Sequence, residues 1–330
     1  MQFIGSKPTV GVLYDGALGY RLDAALGLAV LYGLDGKNEC RVVALSVPNN
    51  NLHAAAFTEI IGRFYAGAVN GSFGAIGRTL PVGMATGKPE EDSPMLKAVL
   101  ANPAYAHSIN HLNDTADPRA MLRNALTAQH DQNAVVVLAG PATNLAALLD
   151  LPGAKPWVES KVRLLALVPD ASDLPALRKV LAEWPSPILV VGHDVAEGAK
   201  FPGAAVEKDF EWSKAHPVVD AYRAFAPMPF DAPSAALAAV VAAVRPESGL
   251  FTFSAPGGLA VSATGEVTLS GAGKHKLLKL DPAQREKLLA SYVELASMKP
   301  VVRAPRVRRQ QAVDPIKPPE PLPPPAASKP

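Results

Sequence analysis

The sequence predicts an α/β protein with a doubly wound, mostly parallel sheet and helices on both faces. Up to residue 191, short runs of valine, isoleucine and leucine alternate with longer amphipathic stretches, and the short runs lack polar alternation. Strands that are apolar throughout are typical of parallel sheets covered on both faces. Between residues 251 and 280 short apolar runs are separated by Gly, Ser and Pro turns, which predicts a small antiparallel β excursion near the C-terminus.

The individual elements follow this alternation in chain order. The predicted strands are residues 9–14, 41–47, 134–139, 162–168 and 188–191. The predicted helices that follow them are residues 23–34, 53–65, 143–149 and 174–184. Ligands of such sheets bind beyond the carboxyl ends of the strands, so the loops after the strands are expected to carry the functional residues.

The C-terminal part of the sequence predicts one more helix and then a tail. Asp281 is expected to cap a helix that runs to about residue 298. The dense proline content from residue 299 onward removes backbone donors and predicts a polyproline-II or disordered tail. We therefore expect one domain over residues 1–298 and a proline-rich tail over 299–330. Four arginines ahead of a Pro-x-x-Pro spacing leave a second interpretation open, in which the tail docks onto a protein partner: Arg303, Arg306, Arg308 and Arg309.

Composition and charge exclude several classes of protein. Hydrophobic residues make up 48% of the 330 residues, and the net charge is only +2, so nucleic acid is not an expected partner. No apolar run approaches the roughly 18 residues of a membrane span. The single cysteine, Cys40, can build neither an internal disulfide nor a zinc knuckle. The opening residues lack a secretory signal, so we expect a cytoplasmic location as written, or a periplasmic or secreted one if a signal was trimmed.

Two carboxylates flank a glycine-bearing turn after the first predicted strand. Asp15 lies at the end of the strand and Asp23 opens the next helix. This segment resembles the inosine/uridine-preferring nucleoside hydrolase family, whose first strand ends in Asp-x-Asp-x-Gly-x-x-x-Asp-Asp-Ala-Leu-Ala-Leu. In an alignment without gaps the matching positions are Asp15, Gly19, Asp23, Ala25, Leu26 and Leu28.

Further motifs extend the resemblance over most of the chain. The segment beginning at Gly140, Gly-Pro-Ala-Thr-Asn-Leu-Ala, is close to the family signature Gly-Pro-Leu-Thr-Asn-Leu-Ala and is the most specific match. Leu80-Pro-Val-Gly resembles the family's Ile-Pro-Ile-Gly strand, and Trp184-Pro-Ser-Pro-Ile its Trp-Pro-x-Pro-Ile segment. The resemblance implies a nucleoside hydrolase-like fold, a nucleoside or another small molecule as ligand, and a homo-oligomer, because enzymes of the family are commonly dimers or tetramers.

The resemblance also implies a Ca²⁺ site whose charged ligands this sequence lacks. The family's enzymes hold Ca²⁺ with carboxylates of the first turn, a threonine carbonyl of the signature, here Thr143, and an aspartate on a late helix. The three carboxylate positions read Ala17, Ala24 and Ala236. Ca²⁺ requires about 6–8 oxygen ligands, several of them charged. We therefore expect no cofactor, unless substitutes such as Asp15 and Asp231 rebuild a Ca²⁺ site.

The remaining polar residues after the strands form a candidate substrate-binding set. Its members are Asp23, Asn51, Asn144, His193 and Asp194. Each also has a structural interpretation, since Asp23 and the Thr-Asn pair can cap helices, Asn51 can form a turn, and His193 and Asp194 can lie in a surface loop. The loop after residue 168 is shorter than in the family and lacks its ribose-binding Glu and Asn.

Two functional hypotheses follow from these observations. The preferred one is a nucleoside hydrolase-like pseudoenzyme that has lost Ca²⁺-dependent hydrolysis of N-ribosidic bonds and acts as a binding or interaction protein. The alternative is an active purine or pyrimidine ribonucleoside hydrolase with a rearranged site built from Asp15, Asp23 and Asp231. The fold alone does not distinguish them, because one fold supports many functions and the residues of the site determine which one is present.

Overall fold

A computed structural model describes residues 9–66 and 80–300 of the chain. Within these ranges the nine strands are β1 (Val10–Gly16), β2 (Cys40–Val47), β3 (Val82–Met84), β4 (Ala134–Ala139), β5 (Val162–Leu167), β6 (Ile188–Val191), β7 (Phe251–Phe253), β8 (Gly257–Val261) and β9 (Val267–Leu280). The twelve α-helices of the described residues are α1 (Leu22–Gly36), α2 (Leu52–Tyr65), α3 (Pro94–Leu100), α4 (Pro118–Thr127), α5 (Thr143–Leu149), α6 (Ala154–Lys161), α7 (Leu174–Glu183), α8 (His193–Gly198), α9 (Gly203–Lys208), α10 (Pro217–Phe225), α11 (Ala235–Val244) and α12 (Arg285–Ala296).

The strands form one mostly parallel sheet in the order β3-β2-β1-β4-β5-β6-β9-β7, with β8 pairing β9 outside this path. Every neighbouring pair from β3 to β9 is parallel, whereas β7 and β8 run antiparallel to β9. The predicted fold class is confirmed, including the antiparallel excursion near the C-terminus. The long strand β9 belongs to both parts, since it extends the parallel sheet and also pairs with β8.

Helices cover both faces of the sheet, and β1, β4 and β6 are buried along their whole length. On β1, Val12 and Tyr14 pack against the cluster that contains α1, α2, α11 and α12. Leu13, on the opposite face, packs against the cluster that contains α4, α5 and α7. The Ala/Val helix α11 is buried along its length and lies within the first of these clusters. Across residues 9–66 and 80–300, no helix combines the length and apolarity that a membrane crossing requires.

The last helix begins later than the sequence predicts. The Asp281 side chain accepts a hydrogen bond from the backbone N–H of Ala283 at 3.0 Å. That bond caps a short 3-10 turn (Pro282–Gln284), and α12 starts only at Arg285. The four arginines and most of the proline-rich tail lie outside the described residues, so the domain boundary at residue 299 and the docking role of the tail stay predictions.

Candidate functional site

The carboxyl ends of β1, β4 and β5 meet at the centre of the sheet. Because β4 lies between β1 and β5, the loops that follow these three strands are neighbours. Five polar side chains come from these loops and from the residues beside them. We call Asp15, Arg21, Asp23, Asn144 and Asp170 the strand-end site.

Asp15 lies within β1 and is fully buried. Its Oδ1 accepts hydrogen bonds from the Ser46 hydroxyl at 2.9 Å and from the Asn144 side-chain amide at 3.0 Å. Its Oδ2 has no hydrogen-bond partner among the described residues. Burial raises the pKa of Asp15 to about 6, although the hydrogen bonds from Asn144 and Ser46 act in the opposite direction. The carboxyl group is therefore protonated in mildly acidic solution.

Asn144 contributes to the structure of the site rather than to its surface. This residue of α5 is buried, and its amide nitrogen also donates to the backbone carbonyl of Val47 at 3.0 Å. An amide nitrogen has two hydrogens, so Asp15 and Val47 use both donors of Asn144. The predicted ligand-binding residue thus joins α5 to β1 and β2.

Asp23 is engaged on both oxygens by the rest of the chain. It lies in the first turn of α1, whose N-cap position is Arg21. Arg21 donates from Nε to Asp23 Oδ1 at 3.1 Å and from Nη2 to Asp23 Oδ2 at 3.0 Å. The backbone N–H of Ala236 in α11 donates to Asp23 Oδ2 at 3.2 Å. The carboxylate therefore receives a bidentate ion pair and a backbone hydrogen bond, and it does not cap its own helix.

The third nitrogen of Arg21 reaches a second carboxylate. Nη1 donates to Asp170 Oδ2 at 3.3 Å, in the loop after β5. Burial alone would raise the pKa of Asp170, but hydrogen bonds from Ser172 and the Arg21 guanidinium outweigh burial and hold that pKa below its usual value. Because β4 separates β1 from β5, the contact spans the carboxyl end of β4. We call Arg21 with its two aspartates the Arg21 bridge.

The three alanines at the family's carboxylate positions are buried and closely packed. Ala17, Ala24 and Ala236 are each at most 1% exposed. A Cβ atom placed on Gly140 would lie 2.9 Å from the Cβ of Ala17, and one placed on Gly27 would lie 3.0 Å from that of Ala236. Two of the three methyl groups thus pack directly on the backbone of a glycine.

The residues of the strand-end site do not fit a Ca²⁺ ion, which takes about 6–8 oxygen ligands. Asp23 and Asp170 share a fixed positive charge, and Asp15 offers one buried oxygen. Thr143, predicted to lend its carbonyl, opens α5, and its hydroxyl donates to Asp173 Oδ2 at 2.7 Å. Within the described part of the chain, no three His, Cys, Asp or Glu side chains are grouped so as to hold a metal.

Other predicted site residues have structural partners. Asn51 caps α2 by accepting from the Ala54 N–H at 3.0 Å, and its amide donates to Asp92 Oδ1 at 2.9 Å. Asp231 is exposed and accepts from the Gly203 N–H at 2.8 Å, where α9 begins. These bonds assign Asn51 and Asp231 to helix N-termini rather than to the Arg21 bridge.

His193 and Asp194 are exposed in the first turn of α8, directly after β6.

Sequence reasoning missed Arg21 and Asp170, although it indicated the loops that contain them. The two residues are 149 positions apart, so no spacing rule pairs them. The one local signal was an arginine two residues before the predicted site carboxylate Asp23.

Solved structures of low sequence identity share this fold. The inosine-uridine preferring nucleoside hydrolase from Bacillus anthracis is 13% identical, with a TM-score of 0.64 over 88% of this chain and 99% of that one. A plant nucleoside hydrolase is 18% identical, with a TM-score of 0.64 and the same coverages. The type III effector protein XopQ, solved with adenosine diphosphate ribose, is 12% identical, with a TM-score of 0.61 over 88% of this chain and 95% of its own. No protein-family model and no curated protein matches the chain. At these identities the likeness shows the architecture alone: the chain has the nucleoside hydrolase fold.

Proposed function

We propose that this chain is a nucleoside hydrolase-like binding protein that does not carry out Ca²⁺-dependent hydrolysis of N-ribosidic bonds. The Arg21 bridge is the observation that carries the proposal. Both oxygens of Asp23 already receive charged or backbone donors, so a metal ion would have to displace a guanidinium that forms a bidentate pair. The buried methyl groups of Ala17, Ala24 and Ala236 supply no charge to replace it.

Asp15, the carboxyl group of the strand-end site that does not pair with Arg21, is poorly placed to catalyse hydrolysis. Hydrolysis needs a group that takes a proton from the attacking water within hydrogen-bond reach. The pKa of Asp15, about 6, suits a general base near neutral pH. However, Asp15 is fully buried, and one of its oxygens is bound to Ser46 and Asn144. This arrangement favours a structural role for Asp15 over a catalytic one.

A small molecule is the partner that the comparisons favour. XopQ was solved with adenosine diphosphate ribose, which is a small ligand that contains a nucleoside. Open α/β sheets bind such ligands beyond the carboxyl ends of their strands. We therefore infer that this chain binds a nucleoside or a related small molecule near the strand-end site without cleaving it.

A base-release assay tests this proposal. The purified full-length chain is incubated with inosine and with uridine, in Ca²⁺ and in excess chelator, and the free base is quantified. We expect no release above the rate in buffer under either condition, because no residue set in the part of the chain that the structure describes fits the ion. Turnover that chelator abolishes and added Ca²⁺ restores would overturn the proposal.

The Asp15→Asn variant distinguishes the alternative of a rearranged hydrolase. If Asp15 were a catalytic base, the wild-type chain would release base and the variant would lose that activity. Our proposal expects no activity in either protein. Nucleoside binding is measured in parallel by protein-detected NMR titration, so that ligand binding is followed independently of bond cleavage.

A further inference from the structure

Arg21 is fully engaged by two carboxylates. Each of its three guanidinium nitrogens donates to a carboxylate oxygen, two on Asp23 and one on Asp170. The Asp23 side chain is 5% exposed, that of Asp170 15% and that of Arg21 28%, so the bridge is largely shielded from solvent. Shielded pairs are screened less by salt and other solutes than pairs on the surface.

The geometry is specific for a planar cation with several donors. The in-plane Nε and Nη2 of Arg21 match the two oxygens of Asp23, and Nη1 points to a different loop. An ammonium group is a point charge and cannot reproduce this fork. A metal ion requires oxygen ligands that these two carboxylates do not supply in sufficient number.

The two halves of the bridge have different consequences for the chain. Arg21 and Asp23 are two residues apart, so their pairing is local. Arg21 and Asp170 come from the loops after β1 and β5, and their contact connects those loops across the end of β4. The guanidinium is therefore the link between two loops on either side of the sheet centre.

We propose that Asp23 and Asp170 form a binding site for a guanidinium-type cation and that Arg21 is its built-in occupant, which holds the two loops together without an added ion. This inference concerns what occupies the site, and it can fail while the proposed lack of hydrolysis stands. Removal of Arg21 leaves two partly buried carboxylates that a free guanidinium ion can bind, whereas Ca²⁺ does not fit them.

Chemical rescue of the Arg21→Ala variant tests the inference. We expect its melting temperature to lie several degrees below that of the wild type. Guanidinium chloride at millimolar concentration is expected to raise it saturably, by about 2 °C at roughly ten times the dissociation constant. Equal concentrations of NaCl, ammonium chloride or CaCl₂ should not raise the melting temperature of Arg21→Ala. No rise should occur in the wild type or in the double variant Arg21→Ala with Asp170→Asn.

Arg119→Ala is the matched control. Arg119 pairs with Asp117, two residues away, as Arg21 pairs with Asp23. The side chains of Arg119 and Asp117 are both about half exposed, and this ion pair contains one carboxylate instead of two. Guanidinium should not stabilise this variant. Absence of saturable rescue in a folded Arg21→Ala protein would overturn the inference and leave the proposed function intact. Rescue by CaCl₂ would likewise overturn the inference, because the site would then accept a metal ion, but the proposed lack of hydrolysis in the wild type, where Arg21 is present, would stand.

A second measurement covers the case in which Arg21→Ala does not fold. In the wild type, the two Nη groups of Arg21 bind different aspartates, so rotation about the Nε–Cζ bond should be slow and give separate NMR signals. Asp170→Asn keeps the pair with Asp23 but removes the charge that holds Nη1. We expect the signals to exchange faster in that variant, and equally fast rotation in the wild type would contradict the inference.

Discussion

Asp15 is a carboxyl group held where its charge is unfavourable. Burial raises its pKa from 3.8 to about 6, so the folded chain binds this proton more tightly than the unfolded chain does. Its contribution to the free energy of unfolding is therefore fully present below about pH 4 and is lost as the pH rises through about 6. In this respect Asp15 behaves in the opposite way to an ion-paired carboxylate.

The Asp15→Asn variant should reveal this penalty. The amide keeps an acceptor for Ser46 and Asn144 but has no charge at any pH. Relative to the wild type, the variant should gain about 2 kcal/mol in free energy of unfolding between pH 4.5 and pH 8. Urea unfolding at the two pH values measures the difference, with the exposed Asp194→Asn as control. A stability difference that does not change with pH would show that Asp15 is not buried as described.

Single residues also show where sequence reasoning reaches its limit. The positions of Asp15 and Asn144 at one edge of the sheet could be predicted, because the ends of neighbouring parallel strands are close together. Their bonding could not be predicted, because Asp15 depends on donors from β2 and α5. The pairing of Arg21 with Asp170 depends on the strand order, which a local pattern does not contain.

At the scale of elements, α1 packs closely against its neighbours through glycines. A Cβ atom on Gly33 would lie 2.3 Å from the backbone carbonyl oxygen of Leu295 in α12. A backbone atom in a packed helix cannot move aside as the end of a side chain can. The close approach of these two helices therefore requires glycine at position 33.

Gly33→Ala should therefore destabilise the chain by about 1–3 kcal/mol, the range typical of overpacked cores. Gly62→Ala in α2 is the matched control, because the nearest atom to its Cβ would be the Tyr32 hydroxyl, 2.9 Å away at the end of a side chain. Alanine also favours a helix over glycine by about 1 kcal/mol, so Gly62→Ala should cost little or stabilise. Thermal unfolding of both variants makes the comparison, and equal losses would contradict this account of the packing.

The elements differ in how well the sequence predicts them. The central strands were predicted to within one or two residues, because strands buried on both faces are continuous apolar runs. The dual role of β9 was not predicted, since glycines interrupt its pattern and Gly271 adopts a positive φ of 64°. Its parallel pairing with β6 is a long-range contact without a local signal.

At the scale of the whole molecule, the shared fold does not determine the chemistry of the strand-end site. The chain shares the nucleoside hydrolase architecture with proteins that are 12–18% identical to it. Its strand-end site nevertheless joins two carboxylates to a guanidinium that is part of the same chain. A shared fold does not by itself transfer an activity. The sequence shows alanine at positions 17, 24 and 236, but it does not predict the arginine that pairs with Asp23 and Asp170.

Calorimetric titration with Ca²⁺ tests the central claim most directly. The full-length chain is first treated with chelator and dialysed, and CaCl₂ is then added to millimolar concentration at neutral pH. Because Arg21 already pairs with Asp23 and Asp170, we predict only the heat of dilution. Saturable binding at micromolar Ca²⁺, with about one ion per chain, would contradict the account.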